Sequence, residues 1–137
     1  MVEIRCCQLE EVPQLIKLLK QADLYYEGCD SEVSLENKIW SEFDSILVAV
    51  DGDRIVGMVI TICDPWISFI YHGCVDPEYQ RQGIATQLRE EAERRLKENG
   101  AKVIVGYVYP KNKRSRILLK KAGYQEDKPA LPIYKIL

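Results

Sequence analysis

The sequence has no long hydrophobic run. No segment approaches the roughly 20 apolar residues that a membrane-spanning helix needs, and no signal peptide is visible, so we expect no membrane partner. Cys-x-x-Cys spacing is also missing, and the five cysteines are odd in number. Neither a zinc site nor a disulfide framework is therefore indicated, and we expect no metal. Unpaired cysteines are typical of a reducing compartment, which predicts a cytoplasmic location.

An excess of basic charge is missing as well. The 137 residues carry a net charge of −2 with a pI near 5.5, which argues against nucleic acid as the main partner because phosphate backbones need a basic face. Hydrophobic residues make up 47% of the chain and charged residues 29%, so the composition and length predict one globular domain over residues 1–137. Basic residues concentrate after Gly100. They indicate either a solvated helix face or a local field that attracts a polyanion.

The apolar spacing predicts elements in the order β-α-α-β-β-β-α-β-α-β. This is an α+β fold with a central mixed, mostly antiparallel sheet flanked by helices. The predicted strands cover residues 1–7, 45–50, 54–63, 66–75, 102–109 and 130–136. The predicted helices cover residues 9–22, about 32–43, 84–99 and 113–122. Asp51-Gly52-Asp53 predicts a tight hairpin between the second and third strands.

Two strands carry more specific expectations. The apolar run at Val103, Ile104 and Val105 is too continuous for an exposed strand, which predicts that residues 102–109 are buried. Pro132 cannot donate to a ladder, so residues 130–136 are expected at a sheet edge. Such an edge either lies in a homodimer interface or is covered by a helix of the same chain.

Residues 80–85, Gln-Arg-Gln-Gly-Ile-Ala, connect a strand to a helix. The first N–H groups of a helix have no partner within it, and the helix dipole places partial positive charge there. Gly83 and Ala85 leave this backbone open to an anion and Arg81 adds a full charge, so a pyrophosphate would fit. An ordinary turn that contains a glycine is the alternative. A P-loop is excluded because no Gly-Lys-Ser/Thr follows.

Residues 75–85 resemble the acyl-coenzyme A signature of the GNAT acetyltransferase superfamily, whose core is Gln/Arg-x-x-Gly-x-Gly/Ala. Residues 108–124 are similar to the second motif of that family, in the right order and at the right separation. The resemblance implies the GNAT fold, with acetyl-coenzyme A as cosubstrate and two strands, 66–75 and 102–109, that splay apart around the pantetheine arm. The cofactor-binding residues that it implies are Cys74, Val75, Arg81, Gln82, Gly83, Ile84, Ala85, Thr86 and Asn112.

The activity that the resemblance implies is N-acetyl transfer from acetyl-coenzyme A to a primary amine by direct attack, without a covalent enzyme intermediate. Nothing near Cys74 in the sequence would activate its thiol for such an intermediate. The acceptor is expected to be a small-molecule amine or a peptide amine. Residues 23–32 carry several acids and two tyrosines, and they indicate either contact with a cationic amine or a solvated loop.

The sequence departs from the family pattern in its catalytic residues. Many members have a Tyr that protonates the leaving thiolate, and Leu119 occupies that position here. Tyr107 and Tyr109 are candidates to replace it and Tyr124 is a weaker one, with packing as the alternative for each. His72, the only histidine, is the candidate base because an ordinary histidine pKa is near 6.5, and a half-buried structural histidine is the alternative. The missing Tyr also motivates a second function, a catalytically weak coenzyme A-binding sensor or partner module.

Overall fold

The computed structural model describes residues 2–137 and divides into two compact units, which cover residues 2–106 and 107–137. Met1, where the first predicted strand begins, lies outside the described residues. None of the described helices is long and apolar enough to cross a membrane.

Residues 2–106 contain five strands and three helices, whose bounds confirm most of the predicted elements. The strands are β1 (Glu3–Cys6), β2 (Ile46–Asp51), β3 (Arg54–Ile62), β4 (Ile67–Val75) and β5 (Val103–Gly106). The helices are α1 (Val12–Gln21), α2 (Glu32–Ser41) and α3 (Ile84–Glu98). Short 3-10 turns at Leu9–Glu11 and Pro77–Tyr79 precede α1 and α3.

The five strands form one mixed sheet in the order β1-β2-β3-β4-β5. The pairs β1–β2, β2–β3 and β3–β4 are antiparallel, and only the β4–β5 pair is parallel. The sheet is therefore mostly antiparallel, as the sequence predicts. The predicted hairpin is confirmed, because Asp51 pairs with Arg54 and Gly52 has the positive φ of +68° that a tight turn needs.

Helices cover both faces of this sheet, and successive residues of β2 alternate between the two cores. Ile46 and Val48 join the apolar cluster that contains Leu15 of α1. Leu47 joins the opposite cluster, which contains Leu88 of α3. A strand buried on both faces reads as a continuous apolar run, which is why β2 shows no polar alternation.

Helix α3 approaches β3 most closely at Gly57. A Cβ atom at this position would lie 3.1 Å from Leu88 Cδ1 and 3.3 Å from Ile84 Cγ2. Ile84 is the first residue of α3. The glycine therefore lets the start of α3 rest directly on the sheet, which fixes the position of the preceding turn.

The predicted strand over residues 130–136 is wrong. These residues form no strand, and apolar side chains such as Leu131 and Ile133 are exposed. An apolar run becomes a strand only where another strand pairs with it, and Pro129 and Pro132 supply no N–H for a ladder. Without a strand here, the sheet-edge argument that allowed either a homodimer interface or a covering helix at these residues no longer applies.

Strand β5 is shorter and less buried than predicted. It ends at Gly106, and 53% of the Val103 surface is exposed. In the described sheet, β5 is the last strand and pairs with β4 alone. At such an edge a run of branched apolar residues reflects strand preference rather than burial on both faces.

The second unit, residues 107–137, contains the helix α4 (Lys113–Lys121). As predicted, Asn112 caps its start, where the Asn112 Oδ1 atom accepts a hydrogen bond from the backbone N–H of Ser115 at 3.3 Å. Gly123 ends it with a φ of +97°. Arg116 then binds both carboxylate oxygens of Glu126, at 2.6 and 2.9 Å, and so ties the segment after the helix to the helix itself.

Candidate active site

The ladder between β4 and β5 ends before β4 does. Its pairs run from Ile67–Val103 to Ile70–Gly106, whereas β4 continues to Val75. The last residues of β4, 71–75, therefore extend beyond the β5 ladder. Because β5 also ends at Gly106, this open stretch belongs to β4, and the splaying of two strands that the sequence resemblance implies stays a prediction.

A β-bulge interrupts the β3–β4 ladder in the same part of β4. Between the pairs Ile60–Tyr71 and Met58–Cys74, β4 has one residue more than β3. His72 lies in this bulge and has a φ of +53°, in the left-handed region that is uncommon for residues other than glycine. Strained backbone of this kind clusters at functional sites.

The imidazole of His72 contacts the carboxylate of Asp30. Its Nε2 atom lies 3.1 Å from Oδ1 and 3.0 Å from Oδ2. Asp30 is 5% exposed, and its Oδ2 atom also accepts the backbone N–H of Tyr26 at 2.8 Å. The half-buried imidazole therefore has one nitrogen fixed against a buried acceptor.

Sequence reasoning missed Asp30 as an individual residue. It lies in the acidic stretch 23–32, but it is 42 positions from its partner His72, and no spacing pattern links the two. Its low exposure shows that it is not one of the solvated carboxylates of that stretch. In the sequence, Asp30 looks like the other acids of that stretch.

Cys74, on the same strand, has an inactive thiol. Burial raises the pKa of this thiol to about 12, so it is protonated at neutral pH. Its side chain packs against the core cluster on the α1 side of the sheet. This environment agrees with the expectation that Cys74 does not act as a nucleophile.

The 3-10 turn after β4 is bound to the β2–β3 hairpin. Arg54 Nη2 donates to Asp76 Oδ2 at 2.9 Å and to Glu78 Oε2 at 3.0 Å, and Tyr79 Oη donates to Asp51 Oδ2 at 2.6 Å. The backbone N–H of Glu78 donates to Asp76 Oδ1 at 2.9 Å, and this bond, together with Arg54, holds the pKa of the Asp76 carboxyl below its ordinary value. Asp76 therefore starts the turn.

The start of α3 has the features of an anion site. Gly83 is the residue before the first turn of the helix, with a φ of +79°, and it has no side chain that could cap the first N–H groups. A Cβ atom placed on Gly83 would have no described atom within 4 Å, so the backbone faces open space. Arg81, with a φ of +65°, is exposed two residues earlier. These residues fit a pyrophosphate group.

In the second unit the candidate tyrosines are accessible. Tyr107 is 63% exposed and Tyr109 is 61% exposed, which disfavours a core-packing role for either side chain. Leu119 is half-buried on α4, and its backbone O accepts the N–H of Tyr124 at 3.0 Å. Asn112 uses its side-chain oxygen to cap α4.

Known proteins with the same motifs decide the family. The sequence model of the acetyltransferase (GNAT) family matches residues 14–124. This chain belongs to the GNAT acetyltransferase family. It is 30% identical over 125 residues to acetyltransferase plu1384 of Photorhabdus laumondii subsp. laumondii, an alignment that covers 91% of this chain and 87% of that protein.

Solved structures show the same fold. One is the PaiA N-acetyltransferase from Thermoplasma acidophilum, solved in complex with coenzyme A. It superposes on this chain with a TM-score of 0.79 at 22% identity, and the alignment covers 91% of this chain and 90% of the PaiA chain. Another is the aminoglycoside acetyltransferase meta-AAC0020, from an uncultured soil metagenomic sample. Its TM-score is 0.79 at 18% identity, and the alignment covers 99% of this chain and 96% of the meta-AAC0020 chain. By its family, this protein is an acetyltransferase with acetyl-coenzyme A as its cosubstrate.

Proposed function

We propose that this GNAT acetyltransferase moves the acetyl group to a primary amine by direct attack, with His72 as the base. The observation that carries the proposal is the placement of His72 in a strained bulge of β4, against buried Asp30, four residues before the turn at Asp76. A base and an anion site are thus carried by one strand and the turn that follows it.

The phosphates of the cosubstrate are assigned to the start of α3. The backbone N–H groups of residues 81–86 and the charge of Arg81 would hold them, because both the helix dipole and the uncapped N–H groups favour an anion there. Residues 107–137 carry eight Lys or Arg against two Asp or Glu, a net charge of +6, although the whole chain is at −2. This local field would attract a polyanion.

Acetyl-coenzyme A supplies an acyl group on a thiol leaving group. We assign the carbonyl oxygen, which gains charge during attack, to a backbone N–H at Cys74 or Val75, on the part of β4 beyond the β5 ladder. The side chain of Asn112 caps α4, so we assign its contact with the pantetheine arm to its remaining amide group. These roles are mostly backbone roles, which tolerate many side chains.

His72 would take the proton that the amine must lose. An alkyl amine with a pKa near 10.4 is in the free, attacking form in fewer than about one molecule in a thousand at pH 7. A neutral imidazole next to the amine corrects this, because its ordinary pKa lies near the working pH. Cys74 does not compete as a nucleophile because its pKa is raised to about 12.

The leaving thiolate has two candidate proton donors in this chain. Leu119 cannot donate, and we propose Tyr107 or Tyr109 instead, since both are exposed and therefore accessible to a ligand. Solvent is sufficient if neither acts, because a thiol pKa near 8.5 makes the thiolate a fair leaving group.

Leu119 also favours the second candidate function, a coenzyme A-binding module with little catalysis. We rank this function second to catalysis because a histidine with a purely structural role would not need the strained backbone of His72.

The acceptor would be a small-molecule or peptide amine, and the aminoglycoside acetyltransferase is an example of the same fold with a small-molecule acceptor. The cytoplasm stays our proposed location, on the sequence argument from the cysteines.

The test is amine-dependent release of coenzyme A over a panel of small amines and peptide N-termini, in wild type and His72→Asn. Asparagine tolerates the left-handed backbone at this position, so the variant is expected to fold. We expect wild type to turn over and His72→Asn to lose on the order of 10²–10⁴ in kcat, the usual contribution of a general base. The dissociation constant for acetyl-coenzyme A should not change.

Two results would count against this proposal. Full activity in His72→Asn would remove His72 from the mechanism. Tight cosubstrate binding with no turnover of any amine would favour the binding module instead.

A further inference from the structure

The loop between α1 and α2 holds the Asp30 carboxylate in a fixed place. The backbone N–H of Tyr26 donates to Asp30 Oδ2 at 2.8 Å, and the backbone N–H of Asp30 donates to the Tyr26 carbonyl at 2.9 Å. The next residue, Ser31, caps α2 by accepting the N–H of Ser34 at 3.1 Å. A turn and a helix cap therefore position the carboxylate from both sides.

The contact with Asp30 decides which imidazole nitrogen carries a proton. An ionised carboxylate only accepts hydrogen bonds, and both of its oxygens lie within 3.1 Å of His72 Nε2. The Nε2 atom must therefore be the N–H donor. This leaves Nδ1 of the neutral ring as the acceptor, and the side chain is 25% exposed.

The backbone of His72 holds the ring in this orientation at a conformational cost. A φ of +53° is uncommon outside glycine, although histidine, like asparagine and aspartate, adopts it more often than other residues, and it occurs here in a bulge of β4. The surrounding structure must impose such a conformation. The hydrogen-bond contact with Asp30 is the one side-chain bond of His72 among residues 2–137, so it is the interaction that fixes the ring.

We propose that Asp30 is a positioning residue for acetyl transfer, and that it fixes His72 as the Nε2–H tautomer so that Nδ1 accepts the amine proton. This inference rests on the proposed role of His72 as the base. The ammonium form of the substrate loses one proton to Nδ1, which passes it to solvent. The amine nitrogen then forms its bond to the acyl carbon and the C–S bond breaks. The thiolate takes a proton from Tyr107, Tyr109 or solvent, and the second amine proton passes to solvent, so that one proton is released overall.

A purely structural role for Asp30 makes a different prediction. In that case the carboxylate only ties the α1–α2 loop to β4, and its loss lowers stability without changing the ring tautomer or the chemical step. A spectroscopic measurement separates the two roles, because His72 is the only histidine in the chain and its ring ¹⁵N signals are unambiguous.

The experiment records ring ¹⁵N shifts of the full-length protein, without ligand, at an alkaline pH where an ordinary histidine is neutral. We expect wild type to be in the Nε2–H form and Asp30→Asn to shift to the Nδ1–H form, since the amide oxygen keeps the Tyr26 N–H and leaves its NH2 group to donate to Nε2. The asparagine oxygen can still accept the Tyr26 N–H, so the loop is expected to remain folded. Glu27→Gln, an exposed acid of the same loop, is the matched control and should behave as wild type.

Kinetics complete the test. We expect Asp30→Asn to lose on the order of 10²–10⁴ in kcat, as expected when a base is left in the wrong tautomer, with an unchanged KM for acetyl-coenzyme A. A mixed tautomer in wild type, or full kcat in Asp30→Asn, would overturn the inference. If His72→Asn is inactive while Asp30→Asn keeps full kcat, only the role proposed for Asp30 is wrong, and the role of His72 as the base stands. If His72→Asn keeps full activity, the proposed base is wrong and the inference falls with it.

Discussion

At the scale of single residues, Glu11 shows how a buried charge stabilises this protein. Its two oxygens accept Arg5 Nη1 and Nη2 at 2.8 and 2.7 Å, and the backbone N–H of Gln8 donates to Oε1 at 2.8 Å. The hydrogen bond from Arg5 and the N–H of Gln8 hold the pKa of the Glu11 carboxyl below its ordinary value. Glu11 as a residue is 9% exposed, so water does little to replace these bonds.

We expect Glu11→Gln to lower the free energy of unfolding by about 2 kcal/mol at neutral pH, because it removes hydrogen bonds to a charged group. Since the folded-state pKa lies below the unfolded value, this stabilisation is present above the unfolded pKa and is lost as the pH falls through the folded pKa. Urea unfolding at neutral and acidic pH measures the difference. Glu10→Gln, an exposed neighbour, is the control. A gap between wild type and Glu11→Gln that persists in acid would contradict this assignment.

The same scale shows what sequence could and could not say about the site. The position of Gly83 at the start of α3 was predictable, because a glycine between a strand and a helical repeat marks a helix start. Asp30 was not, because its pairing with His72 depends on where two distant segments meet in three dimensions. The positive φ of His72 was equally hidden, since a bulge depends on the register of the partner strand.

At the scale of elements, a half-exposed arginine connects the hairpin to the turn before α3. Arg54, at the start of β3, binds Asp76 and Glu78, which begin that turn, and its guanidinium lies 5.3 Å from the centre of the Tyr79 ring. The turn leads directly into residues 81–86, to which we assign the phosphates. Loss of this connection should therefore lower the affinity of the anion site more than it lowers the stability of the fold.

We expect Arg54→Gln to weaken acetyl-coenzyme A binding a few-fold while the melting temperature changes little. The matched control is Arg94→Gln, because Arg94 is similarly exposed, at 52% against 48%, and also bridges two carboxylates, on the outer face of α3. Calorimetric titration of the three proteins makes the comparison. Equal affinity in all three would show that the turn does not need the hairpin, and equal losses in both variants would indicate a general charge effect.

Most elements were predictable because each has a local signal. The helix α3 repeats apolar residues every fourth position, and the β2–β3 hairpin has its Asp51-Gly52-Asp53 turn. The strand predicted at residues 130–136 failed because strand formation needs a partner that the local sequence does not specify. Burial of β5 was misjudged for a related reason, since strand order decides which strand lies at an edge.

At the scale of the whole molecule, we propose that residues 1–137 form one domain, although two compact units are distinguishable. Residues 107–137 number 31, and chains below about 40 residues rarely fold alone without disulfides, metals or partners. We therefore expect a single unfolding transition, coincident by near-UV and far-UV circular dichroism. Two separate transitions would show that the units fold independently.

The most direct test of the account concerns the anion site at the start of α3. We would titrate acetyl-coenzyme A into wild type, Gly83→Val and Gly100→Val by calorimetry. Gly100 is the matched control: it also has a positive φ, of +95°, and it follows the other end of the 15-residue helix, about 22 Å away. Both variants therefore carry the same kind of backbone strain.

We predict micromolar binding by wild type and Gly100→Val, and a loss of roughly a hundredfold or more in Gly83→Val, because valine disfavours the φ of +79° and so shifts the N–H groups assigned to the phosphates. Circular dichroism would establish that all three proteins are folded. Undiminished affinity in a folded Gly83→Val protein would contradict the account, since the turn before α3 would then not be where the cosubstrate binds.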